Sequence, residues 1–390
     1  MSDPTLLAKT ADRLRTVAGF FAFELDRYRQ LTHLDPASEF GIPAPSLTAL
    51  GLCRLPRREH YAHDLTAIAT RVGAPEENLA NFLRTADAVF ALGSRGNAQA
   101  SSTGSHGLMA AARDHAEEYT DFDEIAADDA APLPGWLGQG VDRFWGENVG
   151  PEQFPRGLQL PILVNLPVAI IEIDELTVGN LDQWLQIHQL PALAAVANRP
   201  LRGCLAAYAG VGILFVDRSD DPDQRRVTLA HEIGHFVLDY LLPREDVARR
   251  RPDLLAVLDG ERAPTDAERF DALLADVPVG FHTHLLERDA HGGHLSSTTA
   301  QVEDRAERLA LELLAPMRSV LRETATATDS QAVLCERFGL PAGVATRYAN
   351  HIDRLRPRRP HSLLDAIGLA EPRDAERPDA ATVDDQETDS

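Results

Sequence analysis

Cysteine is scarce in this 390-residue chain: Cys53, Cys204 and Cys335 are an odd number, far apart, and never in a C-x-x-C pair. That spacing indicates neither a disulfide framework nor a cysteine zinc site, so a reducing, cytoplasmic compartment fits best. Long apolar runs are missing as well. No stretch approaches the roughly eighteen uninterrupted apolar residues of a membrane span, and the N-terminus has no basic segment leading into an apolar one. A soluble, unexported protein is expected. Basic excess is also lacking: the net charge of -22 repels phosphate backbones and counts against a chain-wide nucleic-acid function. The first hundred residues carry eleven basic and eleven acidic side chains, so only that block could approach DNA.

What is present is enough apolar material, 44%, for a sizeable interior, in a chain too long for one compact core. Residues 1–92 show no strand alternation and are helical in spacing. Leu65, Ile68, Ala69 and Val72 are closed by Gly73, and Pro75, Glu76 and Glu77 open a further helix through Leu79, Phe82 and Leu83. An all-α domain is expected there. Residues 93–133 turn to Gly, Ser, Ala and acidic residues, as in "GSRGNAQASSTGSHG", and read as a flexible linker. Residues 134–328 hold a strand candidate, "LPVAIIEID", a short helix from Asn180 to Leu190, and a hairpin in "GCLAAYAGVGILFVD" with its turn near Ala209 and Gly210. A second hairpin is expected around Gly292 and Gly293. Residues 329–369 read as a C-terminal helical segment divided at Gly339 and Pro341, and the acidic tail 370–390 has too few apolar groups to fold. The fold class implied is α+β, without internal repeats.

The chemistry concentrates in "VTLAHEIGHFVLDY", where His231, Glu232 and His235 stand in H-E-x-x-H spacing. Asp221, Pro222 and Gln224 supply an N-cap, a first-turn proline and a capping-box partner, so a helix begins just before the motif. On its wheel Leu229, Ile233, Phe236, Val237 and Tyr240 share one side, and His231 and His235 lie on the other, one turn apart, facing a groove. That is the separation two ligands of one ion require. A catalytic zinc needs a third protein ligand. Leu238 and Leu241 occupy the glycine and histidine positions of a metzincin extension, so the ligand must come from farther on. In "VEDRAERLALELLAP", Glu303 falls with Ala306, Ala310, Leu313 and Leu314 on the inward face, and Arg305, Arg308 and Glu312 fall outward. An inward carboxylate needs a cation, and a divalent ion would supply it.

"RRVTLAHEIGHFVL" followed by an E-x-x-A helix ending in "LELLAP" resembles the ImmA/IrrE family of metallopeptidases, over roughly Leu160 to Pro360. The resemblance implies a zincin-like domain, a small mixed or antiparallel sheet packed on the HEXXH helix and on a second ligand helix. It also implies zinc, with manganese as the other ion, held by His231, His235 and Glu303, with Glu232 as general base. Glu307 and Leu309 depart from the Asn and Phe usual in the family, and the connection from Phe236 to Val302 is longer than usual.

The resemblance further implies a protein substrate, a helix-turn-helix repressor whose cleavage releases genes for stress response or mobile-element transfer. "SLTALGLCRLPRREHYAHDLTAIATRVGAPEENLANFLR" itself resembles the second half of a lambda-repressor-like helix-turn-helix domain. A helical partner-binding or dimerisation module is the plainer reading of that block, which leaves a repressor, DNA and a second copy of the chain as partners. Two further expectations concern the cleft. The strand Val211–Phe215 is a candidate edge for an extended peptide. One of His282, His284, His291 and His294 is a candidate for stabilising an oxyanion. The competing class of function is a transcriptional regulator or partner-binding protein that uses the metal fold as a sensor or scaffold.

Overall fold

The computed structural model describes residues 4–99, 109–114, 133–146, 152–190, 198–259 and 297–355, with isolated residues at 150, 265, 266 and 268. The N-terminal block is helical: α1 (Pro4–Leu14), α2 (Phe21–Thr32), α3 (Pro36–Glu39), α4 (Leu47–Gly51), α5 (Tyr61–Val72) and α6 (Glu76–Gln99). The α5 helix ends at Gly73, whose φ of 69° is the left-handed conformation a helix stop favours. Tyr28, Phe40 and Phe82 pack edge to face, with ring centres 5.6 to 5.9 Å apart.

Four strands form one mixed sheet: β1 (Met109–Asp114), β2 (Val168–Ile173), β3 (Leu201–Tyr208) and β4 (Val211–Asp217), in the order β1-β3-β4-β2. The pairs β1/β3 and β3/β4 are antiparallel, and β2/β4 is parallel. The expected hairpin turns at Ala209 and Gly210, with φ of 50° and 87°, two positive values that match the twist of the flanking strands. The Gly210 N–H donates to the Tyr240 hydroxyl at 2.7 Å, which ties the turn to the segment following the HEXXH motif.

Two expectations are corrected here. Residues 93–99, within the expected linker, continue α6, and residues 109–114 form β1. A strand of Met, three Ala, Arg and Asp has no β-branched or aromatic residue, so composition concealed it. The candidate peptide edge Val211–Phe215 lies inside the sheet, bonded to β3 on one side and β2 on the other. Its residues 212–217 are all buried, the signature of a strand covered on both faces. The edges are β1 and β2.

The β2 edge is closed by α6. Asn81 takes the place of a neighbouring strand: its amide Nδ2 donates to the Ile170 carbonyl at 2.7 Å, and its Oδ1 accepts the Ile170 N–H at 2.9 Å. Arg84 Nε donates to the Leu163 carbonyl at 2.8 Å. Leu79, Phe82 and Val89 are fully buried, so α6 packs against the sheet over this face. The N-terminal helices and the sheet thus share one apolar core.

Between and after the strands come α7 (Gly135–Trp145), α8 (Gln159–Asn165), α9 (Val178–Ile187), α10 (Pro222–His235), a π-helical turn (Phe236–Leu241), α11 (Leu242–Arg250) and α12 (Leu255–Leu258). They are followed by α13 (Ser297–Leu314), α14 (Met317–Thr324), α15 (Ser330–Phe338) and α16 (Ala342–Leu355). The α15 and α16 helices divide at Gly339 as expected. The whole is α+β. No helix among the described residues is long and apolar enough to cross a membrane. The second hairpin with its four histidines, and the acidic tail, lie outside the described residues.

Candidate metal centre

The α10 helix starts where its sequence directs. Asp221 caps it by accepting the Asp223 N–H at 2.8 Å, with Pro222 in the first turn. Residues 227–235 are all buried, so the helix is enclosed on every side and the histidines do not face an open groove. One side meets the sheet. A methyl group at Gly203 of β3 would fall 3.2 Å from Glu232 Cγ and 3.3 Å from its Oε1, which places the Glu232 carboxylate directly beneath that strand. The other side meets α13. A methyl group at Gly234 would lie 2.7 Å from the Ala306 carbonyl oxygen, so only glycine permits this crossing.

That close approach brings Glu303 to the motif. Its Oε2 lies 3.1 Å from His231 Nε2 and 3.3 Å from His235 Nε2, and the two nitrogens are 3.2 Å apart. Three donors around a tetrahedral ion with bonds of about 2.0–2.1 Å stand roughly 3.3–3.4 Å from one another. The observed triangle is close to one face of such a shell. His231, His235 and Glu303 are 4%, 1% and 6% exposed, so the donors are held by packing on both sides. Among the described residues they form the one His, Cys, Asp and Glu group with ligand atoms near enough to share an ion. The donor set, two imidazoles and a carboxylate, suits zinc.

The electrostatics favour positive charge at this point. Burial works to lower the His235 pKa, but the Glu303 carboxylate and the hydrogen bond to Asp239 outweigh it and hold the imidazole well above its ordinary range. Burial likewise works to raise the Glu303 pKa, and the two imidazoles overcome it, holding the carboxyl well below its usual range. Both shifts have one cause, a buried carboxylate set against the imidazoles, and a divalent ion at the same point would satisfy all three donors. Cys204 follows Gly203 on β3 and so faces the other side of the strand; its thiol is fully buried, which pushes its pKa well above the usual value, and it is not among the residues whose ligand atoms converge.

Two contributors were not singled out in the sequence. His235 donates from Nδ1 to the Asp239 carboxylate at 3.0 Å, which turns its Nε2 toward Glu303. The signal was present, since Asp239 is four residues on and shares the histidine's face. Gly234 was legible as a lone glycine in an apolar helix, where it costs about 1 kcal/mol relative to alanine unless something passes close by. On α13 the inward set holds: Ala306, Ala310, Leu313 and Leu314 are buried with Glu303. Glu312 does not point outward to solvent as expected. It accepts the Met317 N–H at 3.1 Å at the start of α14, because the end of α13 is covered by the next helix. Glu307 is buried too, 3.7 Å from Arg347 of α16.

Residues 198–258 match the family model of Peptidase M78, described as the IrrE N-terminal-like domain. The match spans β3, β4, α10 and the π-helical turn, supports the ImmA/IrrE resemblance, and suggests a metallopeptidase. It stops before Glu303. No curated protein and no solved structure matches the chain.

Proposed function

We propose that this chain is a zinc-dependent endopeptidase of zincin-like architecture that cuts a specific protein, a helix-turn-helix repressor in keeping with the family resemblance. The observation that carries the reading is the triangle of His231 Nε2, His235 Nε2 and Glu303 Oε2, with sides of 3.1 to 3.3 Å, next to the buried carboxylate of Glu232. Zinc bound there would polarise a scissile carbonyl and make a water acidic near neutral pH.

The chain's own residues divide the remaining work. His231 and His235 present nitrogen lone pairs, Glu303 brings the negative charge, and Asp239 fixes the ring of His235. Glu232 stands between the two histidines in sequence and beneath Gly203 in space. As general base it would take a proton from the attacking water and return it to the leaving amine. The low-dielectric surroundings of these groups strengthen each of those interactions.

Glu232→Gln tests the reading. Zinc content should stay at the parental level while cleavage of a co-expressed repressor falls by at least a thousandfold. Loss of zinc together with activity would leave the base unassigned, and unchanged cleavage would refute the assignment. A regulator using the site as a scaffold would show the same biological output with Gln as with Glu.

A further inference from the structure

We propose that residues 109–114 occupy the strand position that a substrate peptide must take, so that the enzyme is held shut by its own β1 until that strand is displaced. The proposal rests on the metallopeptidase reading of the site and concerns its regulation.

Three features of the backbone lead there. First, β3 is the strand that overlies the catalytic carboxylate: the Cβ position of Gly203 is 3.3 Å from Glu232 Oε1. A peptide bond reaches Glu232 from the sheet only by pairing directly with β3, because neighbouring strands lie about 4.8 Å apart and a second neighbour about twice that. Second, that place is filled. Arg113 pairs with Gly203 and Ala112 with Cys204 in an antiparallel ladder, and the register shifts between Arg113 and Asp114, next to the point over Glu232. Third, the other edge is closed, since Asn81 saturates Ile170 on β2.

The occupant is weakly built. "MAAARD" holds no β-branched or aromatic residue, so its hold on β3 comes mainly from backbone hydrogen bonds that any extended peptide can replace. The sequence on both sides, 100–108 and 115–132, is rich in Gly, Ser, Ala and acidic residues. Exchange of one antiparallel strand for another leaves the ladder intact, and the occupant stays at high effective concentration because it belongs to the same chain.

The test uses the full chain, zinc-loaded, with Glu232→Gln so that bound peptide is not cut. The probe is a fluorescent synthetic peptide copying residues 107–116. Ala111→Pro with Ala112→Pro removes at least one ladder donor, because successive N–H groups point to opposite sides of a strand. The double variant is expected to bind the peptide at least tenfold more tightly than the parent. Equal or weaker binding overturns the proposal, and weaker binding would show that substrate adds to the outer edge of β1.

A second variant covers the case in which the prolines prevent folding. Ala112→Cys faces Cys204 in the register, so oxidation should lock β1 onto β3. The cross-linked chain should lose peptide binding and regain it in dithiothreitol. Binding that survives the cross-link overturns the proposal. If the double-proline chain binds the peptide but its Glu232 counterpart cuts nothing, the strand proposal stands and the peptidase reading falls. If the parent cuts and the prolines change neither peptide affinity nor kcat/KM, only the strand proposal falls.

Discussion

Gly234 and Ala306 meet backbone to backbone where α10 crosses α13: a methyl group on Gly234 would sit 2.7 Å from the Ala306 carbonyl oxygen and 2.8 Å from its Cα. Neither atom can move aside without moving the helix, so this contact sets the distance from Glu303 to the two histidines. Gly234→Ala gains about 1 kcal/mol in helix propensity but loses roughly 1–3 kcal/mol to overpacking, and the second effect should win. Zinc affinity, measured by chelator competition, should fall at least tenfold, with a lower thermal midpoint. Unchanged affinity would mean that the crossing does not position Glu303.

In the proposed metal centre Asp239 would act through His235, which donates to it at 3.0 Å. Asp239→Ala should weaken zinc binding by about 10–100-fold, as the loss of a carboxylate that orients a histidine typically does. Asp239→Asn keeps an acceptor in place and should recover part of that loss. The readout is the zinc dissociation constant of each variant, and identical constants for Ala and Asp would remove Asp239 from the site.

Asn81 separates stability from chemistry. Asn81→Ala strands the N–H and carbonyl of Ile170, at a cost of roughly 1–3 kcal/mol. Urea unfolding should show that loss, while zinc affinity at low denaturant stays within twofold of the parent. A parental midpoint would show that water replaces the amide fully.

Much of this architecture was legible, and the reasons for the remainder are physical. The hairpin announced itself through Ala209 and Gly210, and α10 through its Asp221 cap, because turns and caps are local. Glu303 was legible from a single wheel, since burial of a carboxylate demands a cation. The position of β4 in the sheet was not, because an apolar run states that a strand is buried but not which strands flank it. Strand β1 stayed hidden for a different reason: its alanines carry no period-2 signal, and its place depends on β3, some ninety residues away. The role of Asn81 is likewise a long-range one, invisible until Ile170 is placed beside it.

Zinc should also report on folding. An ion bound only by the folded chain adds about 2.7 kcal/mol of stability at a hundredfold excess over its dissociation constant. A chelator should therefore lower the thermal midpoint of the parent, and should leave that of His231→Ala unchanged. A parental midpoint indifferent to chelator would show that the three donors do not hold an ion under those conditions.

The most direct measurement is the zinc stoichiometry and affinity of the parent beside Glu303→Ala. Convergence of His231, His235 and Glu303 on one ion predicts one zinc per parental chain and at least a hundredfold loss of affinity in the variant. A parent that takes up no zinc, or a Glu303→Ala chain that binds it as tightly as the parent, would contradict the metal centre on which the proposed hydrolysis depends.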